Sequence, residues 1–167
     1  MMVDDTTSRT SSGLAALDAA RDVTEQRAVG VLTRGAVGVA SYVAGISAPT
    51  RGGVCARAAL RCAGRLVPDG PIGGTIRRAA TLAASHHPDA LPVAAMVTSG
   101  VELVREVLPL LGDLPDDAAA QVRAWLLRLA VLTTSAAGAR ATPAADGAVD
   151  DLRRLLAPPA RTIPRYR

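Results

Sequence analysis

The residues best suited to chemistry in this chain of 167 residues are arginines at helical spacing. Arg57, Arg61 and Arg65 recur every four positions, which places them on one face of a helix. Gly70, Gly73 and Gly74 follow across the turn Pro68-Asp69-Gly70-Pro71, and Arg77 and Arg78 lie one turn further along. Guanidinium forks grip phosphate and carboxylate through paired N–H donors. Helix amino-termini add free N–H groups, and glycine lets an anion come close. If the two helices form an antiparallel hairpin, Arg61 and Arg65 come level with Arg77 and Arg78. Arg57, Arg61, Arg65, Gly73, Gly74, Arg77 and Arg78 are therefore the candidate anion site, suited to a phosphate of nucleic acid, nucleotide or lipid.

The plainer reading of the same residues is a solvated helix face. The segment 70–75, GPIGGT, lacks the lysine and the preceding strand of a phosphate loop. All 19 basic side chains are Arg; Lys, Asn and Phe are absent and Ala is abundant. That bias is the mark of a GC-rich, bacterial genome, so an arginine is weak evidence of recognition in itself.

Three other groupings have ordinary structural roles open to them. The hairpin would bring Cys55 near His86 and His87, and thiolate and imidazole are zinc ligands. No CxxC pair accompanies them, and His87 before Pro88 reads as a helix end. Glu102 and Glu106 lie one turn apart beside Arg105, but no ExxH partner follows. A solvated stripe on an apolar helix accounts for them. Ser85 next to His86 has no motif context. The sequence therefore implies no catalytic residue, no metal and no cofactor.

The elements that position these residues are helices. The chain is 49% hydrophobic and 20% charged, enough apolar material for a core within one domain. Trp125, Tyr42 and Tyr166 are its whole aromatic complement, too few for a base-stacking platform. Val29, Leu32, Ala36, Val39, Val43 and Ile46 make an apolar stripe at helical spacing. Beside it Gly38, Ser41 and Gly45 make a stripe of small residues that lets a neighbouring helix approach closely. Gly30 and Gly35 predict a kink or break, and Pro49 ends the segment. Further helices are expected over about 53–67, 72–87, 92–111 and from about 117 to Gly138. In the last of these Val122, Trp125, Leu129, Leu132 and Ala136 form the core stripe. A short final helix carries Val149, Leu152, Leu155 and Leu156. The expected architecture is all-α: one bundle of five to six helices over residues 13–157. A flexible amino-terminus, 1–12, precedes it, with Ser11 or Ser12 as a helix cap, and a flexible basic tail, 158–167, follows.

Charge is blocked along the chain, with residues 51–88 at net +5 and residues 89–120 at net −5. Such blocks either face each other within the bundle or meet across an interface. The acidic, polar start is not a secretory signal. Cys55 and Cys62 stand about 10 Å apart on one helix, too far to join, which suits reduced thiols in the cytoplasm. The apolar stretches 35–50 and 90–112 read as buried helices rather than membrane spans. Three functions follow as expectations. First is a non-enzymatic interaction protein, an adaptor, regulator or subunit, with a protein partner or a second copy of itself. Second is a sequence-nonspecific binder of nucleic-acid phosphate through the Arg face and Arg161, Arg165 and Arg167. Third is a peripheral membrane or lipid-surface protein.

Overall fold

A computed structural model describes residues 6–88, 91–138 and 142–158, with side chains from Arg21 onward. Its element order is α1 (Thr6–Ser47), α2 (Gly52–Cys62), a 3-10 turn (Ala63–Leu66), α3 (Gly73–Ala83), α4 (Val93–Arg105), α5 (Val107–Asp113), α6 (Asp116–Ala137) and α7 (Ala145–Leu155). The fold is an all-α bundle, and no strand occurs among the described residues. Met1–Asp5 and the tail from 159 to Arg167 lie outside the described residues. Helix already begins at Thr6, so Ser11 and Ser12 lie within α1 and do not cap it.

α1 is the axis of the bundle. At 1.5 Å per residue its 42 residues extend about 63 Å, and α2 to α7 all pack against it. The expected stripe Val29, Leu32, Ala36, Val39 and Val43 is buried. Gly30 and Gly35 do not break the helix, because packing outweighs their intrinsic cost of roughly 1 kcal/mol each. The window within Arg21–Ser47 is long and apolar enough to cross a membrane by composition, yet 72% of it is buried inside the bundle. Its apolar faces are covered by α2, α3, α4 and α6.

The small-residue stripe does close-packing work, and its partner is α4. A Cβ built on Gly38 would lie 2.7 Å from the carbonyl oxygen of Gly100 and 2.8 Å from Leu103 Cβ. A Cβ on Gly100 would lie 2.8 Å from Gly38 O and 2.8 Å from Tyr42 N. On Gly45 it would lie 2.8 Å from Val97 Cγ2. The two backbones therefore meet at Gly38 and Gly100 with no room for a side chain on either helix.

The expected helix over 92–111 is interrupted at Glu106, between α4 and α5. Pro109 explains the interruption: it has no amide hydrogen to donate to the Arg105 carbonyl, and its ring crowds that oxygen. In α6 the buried set is Val122, Trp125, Leu126, Leu129, Ala130, Thr133 and Ala137. Ala136 is exposed and Leu132 only half-buried, a correction to the expected stripe. A straight helix turns through 3.6 residues, so over 22 residues the inward face drifts from 122 and 125 to 133 and 137.

Polar groups join the layers. Trp125 is fully buried and donates its indole N–H to Ala63 O at 3.1 Å, tying α6 to the 3-10 turn. Thr142 satisfies two carbonyls at the end of α1: its amide donates to Ser47 O (2.9 Å) and its hydroxyl to Ile46 O (2.8 Å). Gly138, with φ 58°, stops α6 as its sequence position predicts.

Candidate functional site

The members of the candidate anion site have different surroundings. Arg61, Arg65 and Arg77 are exposed, and Arg57 is half-buried. Arg78 is exposed and forms an ion pair with Glu25 on α1, where the Thr75 hydroxyl also donates to Glu25 at 3.4 Å. Gly73 is buried, its amide donates to Gly70 O at 3.0 Å, and a Cβ there would lie 2.6 Å from Pro68 O. Gly73 therefore serves the turn between α2 and α3. Gly74 faces open space. The glycine pair thus divides into one position that closes the turn and one that leaves room.

Cys55 does not meet the histidines. It is buried and lies 3.6 Å from Ala136 O on α6, whereas His86 and His87 are exposed at a small hollow beside Ser41 and Gly100. No group of three potential metal ligands occurs among the described residues. Glu102 and Arg105 are exposed; Glu106 pairs with Arg34 on α1 at 2.7 Å. Two ion pairs among the described residues join helices, Glu25–Arg78 and Arg34–Glu106, and in each α1 supplies one partner.

A wide concavity among the described residues is not foreshadowed by residue spacing. An open groove of about 1000 Å³ runs along α1 from Arg21 to Arg34, bounded by Pro71, Ile72 and Thr75 on one side and by α5 with Asp113 and Leu114 on the other. Its floor is apolar: Ala28, Val31, Ile72, Leu110 and Leu114. Arg21, Arg27, Arg34, Glu25, Glu106 and Asp113 form its rim. Arg34 and Glu25 are paired as described, while Arg21, Arg27 and Asp113 have no ion pair among the described residues. Three segments distant in the chain assemble this groove. The one trace of it in the sequence is that the apolar stripe of α1 begins only at Val29.

The surroundings of Tyr42 act on its ionisation. Burial first, and then the charge and hydrogen bond of Asp151 on α7, push its hydroxyl above the ordinary tyrosine range. It donates to Asp151 Oδ2 at 3.3 Å. The pair ties α1 to α7 and lines no cleft described above. No protein-family model, curated protein or solved structure matches this chain.

Proposed function

We infer that the protein is a non-enzymatic interaction module, an adaptor, regulator or subunit, that holds a protein partner in the groove along α1. The observation that carries this reading is the composition of the groove, an apolar floor within a rim of both charge signs where Arg21, Arg27 and Asp113 have no ion pair among the described residues. An amphipathic helix offers the complementary surface, an apolar stripe flanked by charges. A second copy of the chain and a different protein are both candidates for the partner. The two unpaired thiols suit a cytoplasmic setting.

A photo-crosslinking residue placed at Ala28, on the groove floor, tests the reading, with one at exposed Arg128 as the control. The expected result is one discrete adduct from position 28 that weakens in an Arg27→Asp background and at high salt. Its mass tells self-association from a different partner. Identical diffuse products from both positions would overturn the assignment.

Phosphate-backbone binding is favoured by a separate observation: Arg61, Arg65 and Arg77 are exposed with no ion pair among the described residues. The check is the ratio of absorbance at 260 and 280 nm after low-salt purification. A high ratio that collapses on a high-salt wash supports it, and a clean protein spectrum removes it. A lipid-surface role lacks such support, since the apolar stretch it would use, 29–47, is enclosed by neighbouring helices.

A further inference from the structure

A second hollow, of about 430 Å³, lies away from the groove, between α5, the start of α6 and the end of α7. We propose that it binds a small apolar molecule bearing a carboxylate, of the medium-chain fatty-acid type. Leu108, Leu111, Leu114, Leu155 and Leu156 supply its apolar wall. Arg123 of α6 is the cation among its lining residues. The Nε of Arg123 is buried and has no hydrogen-bond partner. Native proteins pair nearly all such buried donors, so an unpaired one on a residue lining a hollow points to a missing acceptor. Asp116 also lines the hollow but has an interaction of its own and leaves this Nε unmet.

The chemistry of the missing acceptor follows from the lining. A carboxylate matches the guanidinium in charge and accepts from its N–H groups at short range. The same molecule must cover leucine side chains, which calls for an alkyl or aryl body. A hollow of this size lies within the range that encloses small ligands. Gly112 is also part of the lining, and a Cβ there would touch nothing within 4 Å, so the space above it is unfilled.

Calorimetric titration of the full chain with octanoate and with octanol, its uncharged counterpart, tests the proposal. Octanoate is expected to bind at least tenfold more tightly than octanol. Arg123→Met, which keeps length and removes charge, should bring the two ligands to equal affinity. Gly112→Leu, which fills the hollow without touching the arginine, should weaken octanoate at least tenfold. Equal affinity of the two ligands for the unaltered chain, binding of neither, or a preference that survives Arg123→Met would each overturn the assignment. If Arg123→Met loses its helical circular dichroism, the Gly112→Leu result decides: undiminished octanoate binding rejects the site.

Discussion

The two parts of α1 whose side chains are described obey opposite rules. From Gly35 to Ser47 the helix is enclosed on nearly every side, and at Gly38 its backbone touches that of α4. From Arg21 to Arg27 the side chains are mostly exposed, and α1 flanks an open groove beside α3 and α5. Helix propensity does not separate the two parts, since both are continuous helix. Side-chain volume does. Where glycine stands, backbone meets backbone and nothing else can enter; where arginine and glutamate stand, the neighbours are held off and space remains for another molecule. The lesson is that small residues closed the protein's interior, while long charged ones left its surface available.

Glycines elsewhere sharpen that contrast. Gly38→Val forces atoms into the carbonyl of Gly100, and a loss of about 3–4 kcal/mol of stability is expected in urea unfolding. Gly147, inside α7 with nothing within 4 Å of an added Cβ, should behave in the opposite sense. Gly147→Ala is expected to stabilise by roughly 0.5–1 kcal/mol. If both substitutions were neutral, the tight contact between α1 and α4 would not be a determinant of the fold.

Smaller effects test the polar ties. Thr142→Val removes the hydroxyl that serves Ile46 O and should cost about 1 kcal/mol in the same measurement. Tyr42 gives a pH signature whose sign follows from its raised ionisation. The unfolded tyrosine ionises near pH 10 while the folded one still holds its proton. Its contribution is therefore complete below pH 10 and is lost as pH rises through the higher folded value. Tyr42→Phe should flatten the alkaline fall in stability, a fall to which no lysine contributes. An unchanged alkaline slope would refute the coupling to Asp151. On the open part of α1, Arg34→Ala breaks a pair whose members are about half exposed. About 0.2–1 kcal/mol is expected, shrinking as salt is added.

Much of the fold could be read from the chain because helical periodicity is local. The stripe from Val29 to Val43, the small residues at 38, 41 and 45, the acidic start of α6 and the stop at Gly138 all depend on residues within a few turns. What escaped was non-local. Nothing near Gly38 announces Gly100 as its partner, and nothing near Arg78 announces its ion pair with Glu25. Local chemistry was also underweighted once: Pro109 marked the break at Glu106. In the long α6 the inward face had to be followed through 3.6 residues per turn, and a stripe carried too rigidly ended on exposed Ala136. The groove and the hollow at Arg123 are assembled from segments tens of residues apart, so spacing could not reveal either.

The contact between Gly38 and Gly100 also sets a timetable for the ribosome. The apolar part of α1 is synthesised early, and its closest cover on α4 follows some sixty residues later. At about 5–20 residues per second, that leaves the nascent helix uncovered for roughly 3–12 s. α6 and α7, which complete the enclosure, come later still. During those seconds this apolar segment has no native neighbour from α4, and early packing against α2 and α3 is its only native cover.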